Sequence, residues 1–402
     1  MSTQTRRSDG STGGALVDLD APPTAPAHPD APATSRAEAG AGSRAPRTAV
    51  GDTPTPGPAT GPAVATVVAG RRARTRRHLV LTLVLATSVL VLLALSLMVG
   101  RTFYGPGEVM RVVLGHQVPG ASFTVGELRL PRATMGLLSG SAFGMAGVTF
   151  QTMLRNPLAS PDVIGISAGA SAAAVFGIVM LSLNGTAVSL LALGGALVTA
   201  AAIYLLSNRG GFAGTRLILI GIGVASMLNS VVTYVLSRAA AWDLQAAMQW
   251  LTGSLNGATW QSVAPLAGSW VVLTPLMLGQ GRSLEALRLG DESATSLGVS
   301  VTRSRVVLIT CAVALLAFAT AASGPIAFVA FMAGPIAARI VGPGTSLLVP
   351  AGLVGALLVL GSDLVGQFAF DTRYPVGVIT GVLGAPYLVY LLIRTNKAGG
   401  SL

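Results

Sequence analysis

The string Gly165-Ile166-Ser167-Ala168-Gly169 has the Gly-x-Ser-x-Gly spacing that, in hydrolases, lifts a serine nucleophile on a strand-to-helix turn beside a histidine base. The setting is wrong for that chemistry. The string lies in an apolar run, and the nearest histidine in sequence, His116, falls in a gap between two such runs. Gly221-Ile222-Gly223 opens like a dinucleotide-binding string but lacks the third glycine and a preceding strand. Three histidines (His28, His78, His116) and one cysteine, Cys311, are too few for a zinc or iron site. A lone cysteine also forms no intramolecular disulfide. No metal site, cofactor or catalytic residue is expected.

Lysine decides the energy source. A phosphate-binding loop of the form GxxxxGK[ST] needs a lysine to reach nucleotide phosphates. The only lysine is Lys397, followed by Ala398-Gly399, so this chain holds no such loop. ATP, if it is used, is hydrolysed on another polypeptide. An ion-coupled carrier instead keeps ionisable groups at mid-membrane. Here the expected deep acid is Asp363, and its bland role is to cap or hydrogen-bond a neighbouring helix. No ring of charge or carbonyl filter suggests a channel.

The elements that carry these residues follow from composition. Of 402 residues 51% are hydrophobic and 10% charged, against about 25% charged in soluble domains; mean hydropathy is +0.68. An all-α integral membrane protein is expected. Residues 1–70, rich in Ala, Pro, Gly, Ser and Thr, read as a disordered cytoplasmic tail, and 71–402 as the transmembrane domain. After the Arg71–Arg77 cluster, an apolar run from Leu79 to Val99 is the first span, too long for a signal-peptide core. Further spans are predicted near 133–154, 163–181, 186–207, 217–237, 260–280, 305–322, 325–342, 347–366 and 376–393. That makes about ten helices, with both termini on one side. A short amphipathic segment, Leu244 to Leu251, is expected in an outer loop. Gly140/Gly144, Gly165/Gly169 and Gly377/Gly381 each place two glycines on one predicted helix face, as close helix packing requires. The tryptophans Trp242, Trp250, Trp260 and Trp270 suit membrane-interface anchors or bundle packing.

Net charge is +11, yet the basic residues sit in short gaps between apolar runs. That is the positive-inside pattern of a protein set in membrane lipid, not a nucleic-acid groove. With the amino terminus cytoplasmic, fifteen basic residues fall inside and six outside. The inner loop at 283–302 then splits into two short helical patterns at Gly290 and again at Gly298. Leu284, Leu287 and Leu289 make an apolar side, and Asp291 and Glu292 are good first-turn acids for the second helix. Exposed leucines in a polar loop suggest a docked partner.

Several strings resemble one family in order along 79–394. They are Arg129-Leu130-Pro131-Arg132, QTMLRNPLASPDVIGISAGAS (Gln151–Ser171), MQWLTGSLNGATW (Met248–Trp260), LGDESATSLGVSV (Leu289–Val301), SGPIAFVAFMAGPIAARIVG (Ser323–Gly342) and YPVGVITGVLGAPYLVYLL (Tyr374–Leu392). The chain is identified by them as a member of the FecCD permeases of iron–siderophore and vitamin B12 importers. The resemblance implies a type II ABC importer permease in the bacterial cytoplasmic membrane, ten helices per subunit, paired around a central pathway. It implies two ATPase subunits inside, a siderophore-binding protein docking from outside, and a ferric siderophore as cargo. Cobalamin or haem is the alternative cargo, and an ion-coupled carrier using Asp363 the alternative class. Arg129 and Arg132 match arginines that pair with carboxylates of the binding protein. Leu289, Gly290, Asp291, Glu292, Leu297 and Gly298 fall in the matching coupling helices. Ala213 and Gly214 match the cytoplasmic gate, and Ser226, Asn229, Ser230 and Thr233 the pathway-lining span. Gly334-Pro335 replaces a proline-histidine pair and resembles the ferric enterobactin type of permease, which favours a paralogous partner over a homodimer.

Overall fold

The computed structural model describes residues 61–162, 164–207, 214–342 and 346–399. In chain order the helices are α1 (Gly61–Met98), α2 (Pro106–Val113), α3 (Leu130–Met153), α4 (Ile166–Leu181), α5 (Gly185–Ser207), α6 (Gly214–Ser237), α7 (Ala241–Leu251), α8 (Trp260–Gly279), α9 (Gly281–Arg288), α10 (Asp291–Ser296), α11 (Val301–Ser323), α12 (Val329–Val341), α13 (Leu348–Phe368) and α14 (Val376–Gly399). A π-helical turn, Ser122–Arg129, leads into α3. Eight of these helices are long and apolar enough to cross a bilayer, and α4 and α12 are shorter apolar helices. The expected ten are therefore present.

Two expectations shift at their edges. Helix α1 begins at Gly61, so residues 61–70 belong to a helix rather than to the tail; the Ala- and Val-containing stretch from Ala63 to Ala69 continues the helix that the apolar run starts. The rest of the tail, 1–60, lies outside the described residues. The segments at 164–165 and 325–328 are not helical, although hydropathy carries the predicted spans through them. Gly165 (φ 96°), Gly324 (φ 70°) and Phe328 (φ 63°) adopt left-handed or positive-φ backbone there, and Pro325 has no N–H to give a helix.

Those breaks lie inside the bundle, not at its surface. Gly165 abuts the Gly221 carbonyl and Ala225 of α6, and the Phe328 ring abuts Gly384, well inside α14. Non-helical backbone at such depth survives only where protein or a water-filled cavity satisfies it. Short α4 and α12 thus start part-way through the bundle.

Helix α3 is the central post, with 83% of its most apolar window buried. It crosses α13 antiparallel through small residues. A Cβ on Gly140 would sit 2.6 Å from the Gly355 carbonyl oxygen and 2.8 Å from Ala356 Cα. One on Gly144 or Gly147 would overlap the carbonyls of Ala351 and Ala330. Gly140 and Gly144 therefore share a packing face as their spacing predicts. The other two pairs do not: Gly165 precedes its helix, and Gly381 meets nothing within 4 Å. Gly140→Val should lower stability by about 3 kcal/mol, since neither backbone can retreat. Thermal unfolding in detergent reads this against Gly268→Val, a site open to space; equal melting temperatures would contradict the packing account.

Candidate functional site

At one end of the bundle stand Arg129 and Arg132, the two arginines expected to dock a partner. The Arg129 guanidinium turns back on its own chain. Its Nη1 donates to the carbonyls of Leu97 and Met98 at 2.9 Å, and its Nη2 to Thr102 at 2.6 Å. The group also lies 5.0 Å from the centre of the Tyr104 ring. These carbonyls close the end of α1, where the last helical oxygens lack intrahelical donors. Arg132 grips Asp363 with both arms, Nε to Oδ2 at 2.9 Å and Nη2 to Oδ1 at 2.8 Å, and donates from Nη1 to Asn256 at 2.7 Å. Gln367 adds a 2.7 Å hydrogen bond to the same carboxylate. The bidentate fork is the strongest geometry for such a pair, and here it ties α13, α3 and the α7–α8 connection together. Asp363 is thus engaged near the start of α3 and not at mid-depth, and it has the bland role set against ion coupling.

The opposite end carries the short helices α9 and α10. Leu284 and Leu287 are buried, at 3% and 2% exposure, so they anchor α9 to the bundle. The expected apolar side is therefore divided. Leu289 lies beyond the end of α9 and is 66% exposed, with Leu297 at 65%. Helical spacing puts Leu284 and Leu287 on the face turned inward and Leu289, still in helical conformation two residues on, on the opposite one, before the chain turns at Gly290 (φ 114°). Asp291 receives Arg305 at 2.9 Å and Arg155 at 3.3 Å, while Arg155 Nε also donates to the Leu287 carbonyl at 3.3 Å. Arg155 therefore braces the α9–α10 elbow against the segment that follows α3. Glu292 is exposed, and Gly298 (φ 82°) allows the turn into α11.

Between the two ends, Ser226, Asn229, Ser230 and Thr233 line an exposed side of α6. The hydroxyls of Ser226, Ser230 and Thr233 donate back to carbonyls one turn earlier, at 2.9–3.0 Å, which satisfies these three donors within the helix. Gly214 opens α6, and a Cβ there would meet Leu154 at 2.7 Å. Ala213 lies outside the described residues.

Asp162, not Asp363, is the acid at depth. It receives Ser167 Oγ at 2.6 Å and Ser160 Oγ at 3.5 Å. With Phe328, Phe331 and Leu388 it lines a cavity of about 400 Å³. Ser167, the serine of the hydrolase-like string, therefore serves a carboxylate and not a histidine. Among the described residues no group of three His, Cys, Asp or Glu side chains could hold a metal ion.

Ten apolar helices around a glycine-packed post, with broken helices at depth and a braced elbow of short helices at one end, define a multi-pass membrane permease. The FecCD transport family model matches residues 88–394, and the chain belongs to that family. It is 39% identical to the ferric enterobactin transport system permease protein FepG of Escherichia coli, over 80% of this chain and 98% of that protein. The achromobactin transport system permease protein CbrC of Dickeya dadantii is 38% identical, over 82% and 97%. The cobalamin import system permease protein BtuC of Halobacterium salinarum is 33% identical, over 68% and 74%. Its fold is shared with a metal-chelate type ABC transporter solved in an inward-facing conformation, with TM-score 0.70 at 24% identity, covering 78% of this chain and 98% of the other. The chain is a permease of the ABC importer class, as the strings from Arg129 to Leu392 predict.

Proposed function

We propose that this permease carries iron–siderophore complexes across the bacterial cytoplasmic membrane, with both termini and the α9–α10 elbow in the cytoplasm. The observation that carries the reading is that elbow. It presents Leu289 and Leu297 outward from a base fixed by Leu284, Leu287 and the Arg155–Asp291–Arg305 cluster. Exposed apolar side chains on a rigid base suit a partner that must transmit force. That partner is a separate ATPase, two copies per transporter, because the chain has no phosphate-binding lysine loop. Motion at the elbow shifts the equilibrium between inward- and outward-open states.

The remaining assignments follow this frame. A siderophore-binding protein docks on the opposite face around Arg129 and Arg132, where its carboxylates compete with Asp363 and the α1 carbonyls. A second, paralogous permease completes the pathway along the Ser226–Thr233 stripe, and Ala213 with Gly214 forms the cytoplasmic gate. Iron–siderophore cargo is favoured by the 39% and 38% identity to siderophore permeases. Cobalamin is the second reading, from the 33% identity to a cobalamin permease.

The test is reconstitution of the full complex in vesicles, with uptake of a radioiron-loaded siderophore and of cobalamin measured with and without internal ATP. ATP-dependent iron uptake is expected. Uptake driven by an ion gradient without the ATPase would sink the reading.

A further inference from the structure

The cavity at Asp162 is unlike the rest of the described mid-bundle. Its lining contains one carboxylate and no Arg, Lys or His. Its walls are aromatic and aliphatic: Phe328 and Phe331 meet edge to face with centroids 6.4 Å apart, and Leu388 comes from α14. Its floor is the start of α4, where Ser160 and Ser167 donate to Asp162. Burial pushes the Asp162 carboxyl above its ordinary range, and the hydroxyl donors work the other way, toward the ionised form.

Position gives this carboxylate its interest. Between Asp162 and Ser167 of the lining, Gly165 abuts Gly221 and Ala225 of α6, and one lining residue, Leu388, belongs to α14. The polar stripe of α6 runs on from Ala225 to Ser226. The segment that supplies Asp162 and Ser167 to the cavity thus packs, through Gly165, on the helix that carries that stripe. At about 400 Å³ it admits a side arm of a chelate, not a whole iron–siderophore complex. A carboxylate that shares a cavity with two aromatic rings can receive an ammonium-like group, through charge and through the ring quadrupoles together.

We propose that the Asp162 cavity is a cation-accepting station on the transport route, which favours chelates carrying an ammonium arm over uncharged or anionic ones. This rests on the importer reading above, and it adds a charge preference set by the permease itself. The preference arises from differential interaction during passage and not from binding-protein affinity.

The probes are a linear ferric trihydroxamate with a free terminal ammonium and the same complex with that amine acetylated. Both are delivered by one binding protein to the full complex in vesicles, and ATP-driven uptake is normalised to binding-protein loading. Wild type should move the ammonium form faster. Asp162→Asn should lower the ratio of the two rates by about fivefold, the worth of one charge contact in a wet cavity, with uptake of the acetylated form within about twofold of wild type. Asp162→Glu should keep the preference. Should Asp162→Asn fail to fold, Phe331→Leu keeps an apolar side chain there, removes one ring and should lower the ratio by about twofold. An unchanged ratio in the variants overturns the station and leaves the importer reading standing. Failure of wild type to move either complex overturns both.

Discussion

Replacing Leu289 and Leu297 together by Asp should strip the permease of its ATPase while leaving its fold intact. Both side chains are about two-thirds exposed, so the bundle loses little packing when they become polar. Burying the two at a partner surface is worth about 3–5 kcal/mol in total, and two new carboxylates there add an unpaired-charge cost. Co-purification should fall below detection and ATP-driven uptake by at least about a hundredfold, one decade for each 1.4 kcal/mol lost. The melting temperature of the isolated permease should stay within about two degrees of wild type, as for surface changes generally. Leu287→Asp is the contrasting variant. That side chain is 2% exposed, so an acid there enters the core and the protein should fail to fold. If the double variant still co-purifies with the ATPase, the elbow is not the docking surface.

The pair Leu287 and Leu289 also shows how far sequence reasoning reaches. Both leucines stand in one polar loop and are expected on one apolar side, but two residues apart on a helix they face opposite ways. Which of them is covered by the chain itself depends on where α9 lies against α3 and α11, and no local pattern encodes that. The ten apolar helices were legible because a bilayer demands long apolar runs and little else satisfies it. The breaks before α4 and α12 were not, since hydropathy stays high across Pro325 to Phe328 while the backbone stops being helical. Pro161 and Gly324-Pro325 fall before or at the predicted starts, where proline is compatible with a helix, so they leave both boundaries in place.

Asp162 escaped for a related reason. A predicted boundary at 163 left it in a connection, and connections are ordinarily at the surface. Depth is a tertiary property: the segment after α3 climbs back into the bundle, pinned by Gly165 on α6. Asp363 stands amid the apolar residues of α13, and that pattern predicts the depth it does not have. Its partner Arg132 was visible in the RLPR string, but pairing across more than two hundred residues was not. The spacing of Arg129 and Arg132 suggested one shared surface, whereas the first closes α1 and the second holds α13.

That divergence sets the second large effect. Arg132→Met alone should destabilise the permease by about 2–3 kcal/mol, because Asp363, 4% exposed, would keep its charge with only Gln367 as a partner. The lower end of the range applies since the Arg132 side chain is 20% exposed and solvent screens the pair. Asp363→Leu alone should cost a similar amount. The two changes together should come back to within about 1 kcal/mol of wild type, since replacing a largely buried ion pair by apolar residues of like volume is often neutral. Melting of the three variants in detergent measures that coupling directly. The stable double variant then separates structure from docking. If Arg132 meets a carboxylate of the binding protein, the double variant should unfold like wild type yet bind that protein at least about tenfold more weakly, the loss of one charge-assisted pair. If binding and uptake are both unchanged, Arg132 serves the bundle alone. Retained ATP-driven uptake also excludes any coupling role for the Asp363 carboxylate, because no acid remains at that position to carry a proton.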